Sequence, residues 1–418
     1  MLADGSSGRG PTPPETPNGG DGSTATARGA CEAAGALRVQ RALAELRGGR
    51  AVRVHPGVAT DGSAPGAGPG PGADAVRVVA IETLTEAALA ALTDRDGRVR
   101  ALVAAERAET LGRKVGTAAA ELVLDAGGAS PARTLEVLHA LAGLSPTPWR
   151  APEGVSFECR DAPGSVPAAA LALARESSLI PALLRGARPA SDAAAVAADI
   201  AADDALAYPA ARGRFLDRAS SALVPLAGAG RCEFTVFRER FGEAEHVAVT
   251  VGELDPKAPV TVRIHSACFT GDIFGSMKCD CGEQLRGAVA TLARGGGGVI
   301  LYLAQEGRGI GLANKLRAYS LQARGFDTID ADRTLGFRSD HRDFTVARTM
   351  LESLGIARVR LVTNNPRKIA ALDAGGIEVV ERIPSIASIN PHNAGYLETK
   401  RDRAGHLFGP NGLALAGE

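Results

Sequence analysis

The chain has 418 residues, and its basic and acidic residues balance at 47 each, so the formal net charge is zero. That balance argues against a nucleic-acid polymer or an acidic membrane surface as partner, because either would favour a clear basic excess. Apolar residues make up 45%, enough for real cores, and at roughly 100–200 residues per domain two or three domains are expected.

Residues 1–35, rich in Gly, Pro, Ser and Thr, read as a disordered tail. No basic segment followed by an apolar stretch marks a signal peptide, and no apolar run approaches ~18 residues; a cytoplasmic protein without a membrane partner is expected. Over residues 36–50, Leu37, Val39, Ala42 and Leu46 recur at roughly helical spacing before Gly48-Gly49. A short strand follows at 51–57, then a Gly/Pro loop over 57–74, a strand at 76–81, a helix over 85–94 and a strand at 99–105. Residues 165–220 are Ala-rich and mostly helical in pattern, with 191–208 as a linking helix. Residues 36–220 therefore read as one α+β domain.

A second unit spans about 225–410. Segments 232–241, 246–254 and 260–269 alternate apolar with polar and read as three antiparallel strands. Beyond them, predicted helices over 283–295, 310–325, 343–355 and 365–376 alternate with strands at 298–304, 359–364 and 377–383, which predicts an α/β layer.

The densest chemistry lies in Cys268, Cys279 and Cys281. Residues i and i+2 of an extended segment share a face, so Cys279 and Cys281 can aim at one point. Cys268, at a predicted strand end, can add a third thiolate. Three thiolates suit Zn²⁺ and leave a fourth position for water, the pattern of a catalytic site. Two other readings of the spacing stay open: a structural zinc site closed by His265 or His341, and a buried cysteine cluster without metal. Other features are weaker on pattern alone. Asp340 and Arg342 fit a surface ion pair. Tyr319 shares i, i+4, i+7 spacing with Leu312 and Leu316 and fits a core position. The Glu306-Gly-Arg-Gly-Ile-Gly311 turn, between strand and helix, suits an anion, and Arg308 strengthens that reading.

Together these segments carry a resemblance. Arg263-Ile-His-Ser-Ala-Cys268-Phe-Thr-Gly-Asp272, Lys278-Cys-Asp-Cys-Gly-Glu-Gln284, Gln305-Glu-Gly-Arg-Gly-Ile-Gly311, Asn314-Lys-Leu-Arg-Ala-Tyr319, Leu335-Gly-Phe-Arg-Ser-Asp-His-Arg-Asp343 and Thr363-Asn-Asn-Pro-Arg-Lys368 resemble, in order, the motifs of the GTP cyclohydrolase II family of riboflavin biosynthesis. The match runs from about 230 to 408. It implies zinc-dependent opening of the GTP imidazole ring, with release of formate and pyrophosphate. It also implies one Zn²⁺ on Cys268, Cys279 and Cys281, and catalytic roles for Asp340 as general base, Arg342 toward the α-phosphate and Tyr319 near the metal. For Arg342, stabilisation of transition-state charge is favoured over a nucleophilic role. Contacts to GTP are implied for Arg263, Ile264, His265, Ser266, Ala267, Gln284, Glu306, Gly307, Arg308, Thr328, Thr363 and Lys368. Mg²⁺ is expected with the triphosphate, and a homodimer is the family's common state. Position 267 departs from the family, which often carries Glu there; a carboxylate contact would be lost with it.

The order of elements over 36–220 is also similar to dihydroxybutanone phosphate synthase. A Gly/Pro segment stands where that family's acidic substrate loop belongs, so the resemblance implies a catalytically dead domain. Two other functions remain open: a related ring-opening cyclohydrolase with a different product, and a nucleotide-sensing zinc module without turnover.

Overall fold

The structure is a computed structural model describing residues 22–57, 75–93, 97–125, 128–145, 149–186, 196–255, 257–338, 340–385, 387–403, 405–407 and 413–415. Among these residues no helix is long and apolar enough to cross a membrane.

The chain opens with helix α1 (Gly22–Arg47). The expected tail over 1–35 is thus corrected for 22–35, which are helical, while residues 1–21 lie outside the described residues. Ala-rich sequence favours helix once a core is at hand, and Ala33 already packs on that core. The buried stripe is Ala36, Val39, Ala42, Leu43 and Leu46; Leu37 is exposed.

Strands β1 (Val52–His55), β2 (Val76–Ala80), β3 (Arg98–Ala104), β4 (Ala119–Asp125), β5 (Ser156–Asp161), β6 (Ala182–Arg185) and β7 (Ala198–Ala201) form one sheet, ordered β5-β4-β3-β6-β2-β1-β7. Its pairs are antiparallel except β1 with β7. Helices α2 (Glu86–Leu92), α3 (Ala105–Thr110), α4 (Pro131–Ala142), α5 (Ser165–Glu176) and α6 (Ala202–Arg214) complete this α+β unit. The expected linking helix over 191–208 is corrected: 198–201 is strand, and α6 begins only at Ala202. Alanine suits either state, and the parallel pairing with β1 decides it. The Gly/Pro loop over 58–74 lies outside the described residues.

Strand β8 (Leu216–Leu226) already belongs to the second unit, nine residues earlier than the sequence suggests. Strands β9 (Gly230–Glu239), β10 (Glu245–Val251), β11 (Val260–Ser266), β12 (Gly298–Leu303), β13 (Arg358–Val362) and β14 (Glu378–Ile383) join it in the order β14-β13-β11-β12-β10-β9-β8. Helices α7 (Cys281–Arg294), α8 (Leu312–Gln322), α9 (Thr328–Thr334), α10 (Thr345–Ser353) and α11 (Pro366–Asp373) connect or cover them. A small pair of strands, β15 (Ala387–Ile389) and β16 (Leu413–Leu415), flanks the last helix, α12 (Ala394–Asp402).

Strands β8, β9 and β10 are antiparallel, as expected for 232–241 and 246–254. The third expected antiparallel strand is corrected. β11 leaves the meander and pairs in parallel with β12 and β13. It is buried along nearly its whole length, as a central strand covered on both faces must be. This places the C-terminal ends of β11, β12 and β13 side by side, the edge where open α/β sheets bind ligands. The two units share a core: Ile310, Ala318, Leu321, Leu335 and Phe337 of the second pack with Leu84, Leu89, Leu138 and Leu141 of the first.

Candidate active site

Just beyond the end of β11 the chain reaches Cys268, turns tightly through Phe269–Ile273 and returns with Cys279 and Cys281 at the start of α7. The three Sγ atoms lie within 4.8 Å of one another, with Cys268 and Cys279 at 3.6 Å. Asp272 braces the turn. It accepts from the Cys268 N–H at 2.9 Å and the Tyr302 hydroxyl at 3.0 Å, and pairs with His265 Nε2 at 3.1 Å. Asp272 thus engages His265 through Nε2, leaving its buried Nδ1 without a hydrogen bond, and His341 Nε2 accepts from the Arg338 N–H at 2.8 Å. Neither histidine closes the cluster, which among the described residues holds three protein donors.

Gly271 is required by this packing. A Cβ there would sit 2.8 Å from Cys279 Sγ and 3.0 Å from Cys268 Sγ. Gly271→Ala should therefore lower bound metal per chain about tenfold or more, measured by elemental analysis after dialysis, because second-layer packing of this kind typically carries ~10–100-fold of metal affinity. Full metal loading in the variant would refute the packing argument.

Bonds with the Cys279 and Cys281 thiols, followed by the Lys315 ammonium, hold Cys268 well below the usual thiol range despite burial. The contact with Cys268 in turn pushes Cys279 and Cys281 up. Crowded thiols cannot all ionise together without a cation. A divalent ion removes that conflict, so the donor set fits zinc, with three protein ligands and one position open.

Lys315 Nζ lies 3.0 Å from Cys268 Sγ and 2.8 Å from Glu306 Oε1. Burial disfavours its charge, but Glu306 and Cys268 outweigh that and raise its pKa. The sequence reading missed Lys315 as a site residue, although it stands four before Tyr319 on α8 and so shares its face. The core position that spacing alone allowed for Tyr319, beside Leu312 and Leu316, does not hold: Leu316 is 49% exposed, and Tyr319 lines the pocket, where the resemblance puts it. The Tyr319 ring lies under Lys278 Nζ, 5.0 Å from its centroid, and burial pushes the phenol up.

The sulfurs open onto a pocket that is continuous with solvent. Every residue expected at the site lines it except Ile264 and Asp340. Ile264 is fully buried in the core and offers only its carbonyl, which accepts from Lys368 Nζ at 2.6 Å. The Ala267 amide donates to the Leu303 carbonyl at 2.8 Å and so serves the fold. Arg263 donates to Val362 O at 3.0 Å and to Gln284 Oε1 at 2.6 Å. Gln284 donates to Asp280, which pairs with Lys400 at 2.7 Å.

Cations dominate the wall. Arg263, Arg308, Lys315, Arg342, Lys368 and Lys400 face the pocket, against two carboxylates, Glu306 and Asp332. Burial, then the Arg263 and Arg342 charges, pushes the Lys368 ammonium well down. An arriving polyanion would relieve that repulsion. Burial also raises the Asp332 carboxyl to about 7, with Arg308 opposing it. Gly307 and Arg308 both adopt left-handed backbone, at φ 62° and 60°. That conformation is unfavourable for arginine and is typical of residues held for function.

Asp340 sits behind this wall. Arg342 donates to it through Nε at 2.9 Å and Nη2 at 2.7 Å, and Arg367 approaches within 3.3 Å. Burial raises the Asp340 carboxyl, but these cations outweigh it and bring the pKa to about 2. Arg342 Nη1 meanwhile reaches to 3.5 Å from Ser266 Oγ. The pocket also receives Tyr396, Lys400 and His406 from the end of the chain. No local pattern marks these three; only the helical spacing of Tyr396 and Lys400 hints at a shared face.

The family model for GTP cyclohydrolase II matches residues 217–384. The GTP cyclohydrolase-2 of Azospirillum brasilense is 42% identical over 380 residues, spanning 88% of this chain and 94% of that protein. The GTP cyclohydrolase-2 of Azotobacter vinelandii is 55% identical over 165 residues, 40% of this chain and 79% of its own. A solved two-domain 3,4-dihydroxy-2-butanone 4-phosphate synthase from A. baumannii overlaps 78% of this chain and 93% of its own, at 17% identity and a TM-score of 0.30, too slight to assign the first unit. On the long match to the Azospirillum protein and the three-sulfur site it accompanies, the chain belongs to the GTP cyclohydrolase II family.

Proposed function

We propose that this chain hydrolyses GTP, opening the imidazole ring and releasing formate and pyrophosphate to leave 2,5-diamino-6-(5-phosphoribosylamino)pyrimidin-4-one, the first step of riboflavin biosynthesis. The observation that carries this reading is the convergence of three sulfurs on one point at the floor of a strongly cationic pocket.

Zinc held by Cys268, Cys279 and Cys281 would supply a nucleophile at neutral pH by bringing the pKa of water to about 7. The protein's own groups do the rest. Arg308, Arg342 and Lys368 bind the triphosphate, which travels with Mg²⁺. Arg263, His265, Ser266, Gln284, Glu306, Gly307, Thr328 and Thr363 complete the nucleotide contacts, while Ile264 acts only by holding Lys368 through its carbonyl and Ala267 only lines the wall. Tyr319 orients the purine beside the sulfurs and holds a proton on its phenol oxygen. Lys315 and Glu306 fix Cys268. The bidentate pair favours Asp340 as the group that aims Arg342 over a general base, since a carboxyl near pKa 2 binds a proton weakly. Arg342 then steadies charge developing on the α-phosphate. The first unit is a dihydroxybutanone phosphate synthase-like domain without that chemistry.

Incubating zinc-loaded protein with GTP should release formate and pyrophosphate in equal amounts and yield the diaminopyrimidine by mass spectrometry. A ring-opened product that retains the formyl group would establish the related-cyclohydrolase reading instead. Intact GTP would favour the sensing module.

A further inference from the structure

We propose that Arg212 and Gly213, on α6 of the first unit, are positioning residues for the ring-opening site of the second. This rests on the activity proposed above. The first unit has no catalytic part in that activity, yet it touches the two segments that lead into Arg308 and out of Arg342, two of the pocket's cations.

The first contact is a buried polar relay. Arg212 pairs with Glu176 of α5 at 3.0 Å, and its Nε lies 3.3 Å from Glu239 Oε1 of β9, an ion-pair contact without hydrogen-bond geometry. Glu239 meets His246 Nε2 of β10 at 3.1 Å, and both side chains are almost wholly buried. His246 Nδ1 accepts from the Ala304 N–H at 3.0 Å. Accepting at Nδ1 leaves Nε2 as the protonated nitrogen, which donates to Glu239. The relay thus runs from the first unit to the backbone two residues before Glu306. Glu306 in turn accepts from Lys315, the partner of Cys268.

The second contact is steric. A Cβ on Gly213 would lie 3.0 Å from Thr345 Cβ, 3.1 Å from Asp343 Oδ2 and 3.1 Å from the Val346 nitrogen. The helix therefore bears directly on the chain just after Arg342. The two supported segments are also joined to each other: Gln305 Nε2 donates to the Asp343 carbonyl at 2.7 Å, and the His341 N–H donates to the Arg308 carbonyl at 3.0 Å. Displacing either support would move Glu306, Arg308 and Arg342 together, and misplacement of about 1 Å in such a site typically loses ~100-fold in rate.

The test uses full-length, zinc-loaded protein carrying Arg212→Met, Arg212→Lys or Gly213→Ala. Formate release, zinc content and amide exchange over residues 304–311 and 340–346 are measured on the same samples. Arg212→Met should lower kcat about 10–100-fold while zinc stays at the wild-type level, and amides near Ala304 should exchange faster. Arg212→Lys should recover most of kcat. Gly213→Ala, which asks its neighbours to shift by only tenths of an ångström, should lower kcat about tenfold and decides the matter if Arg212→Met does not fold. Unchanged kcat and unchanged exchange in a folded, zinc-loaded Gly213→Ala variant would overturn the proposal. Absence of wild-type turnover would instead strike the activity assignment, and the exchange data would still judge the positioning role.

Discussion

Cys279→Ser should remove bound metal and ring opening together. The side chain is buried beside Cys268, so serine fits the space but presents a hydroxyl where a thiolate is needed. A site of three thiolates reduced to two loses both affinity and the tetrahedral arrangement that leaves one position open. Formate release should fall at least ~10³-fold, since metal activation of water supplies several kcal/mol of the barrier reduction. Elemental analysis and a formate assay on the same sample check both halves. Turnover at the wild-type rate in metal-free protein would remove zinc from the mechanism. The expected loss should not extend to the fold, because the apolar clusters that hold both sheets lie apart from the three cysteines.

Arg342→Ala should lower kcat by about 10²–10³-fold with zinc content unchanged, the range seen when one preorganised charge-stabilising donor is removed. Asp340→Asn separates two roles for the carboxylate. If Asp340 aims Arg342, the amide keeps part of the bonding and kcat falls only about tenfold. Adding Asp340→Asn to Arg342→Ala should then do little further harm, because the two side chains act as one unit. A loss from Asp340→Asn as deep as that from Arg342→Ala, persisting additively in the double variant, would identify Asp340 as an independent general base. The pair's geometry, with both carboxylate oxygens engaged by Arg342, argues for the first outcome.

Much of the site was legible because its chemistry is concentrated in short strings. Cys268, Cys279 and Cys281 are specific residue types at a spacing that converges on one point, and the flanking motifs brought Tyr319, Arg342 and Lys368 with them. What remained hidden depends on distant chain. Lys315 reads as one more helix cation until Cys268 and Glu306 are placed beside it. Tyr396, Lys400 and His406 come from a segment whose return to the pocket has no local signature. The fold shows the same division. The antiparallel pair β9–β10 follows from alternation, whereas β11 joins β12 and β13, a choice between partners that alternation cannot express. β8 is exposed along almost its whole length as an edge strand, so it offers no buried face to recognise. Ala-rich sequence concealed the strand β7, since alanine follows whatever its neighbours impose, and the Gly, Ser and Thr of 22–29 concealed the first turns of α1.

The three-sulfur centre is tested most directly by zinc K-edge X-ray absorption on the full-length protein, recorded with and without GTP. The expected spectrum has three sulfur neighbours at about 2.3 Å and one light-atom neighbour whose signal changes when nucleotide is added. A shell filled by four protein donors, unaltered by GTP, or no bound zinc at all, would contradict the proposed centre.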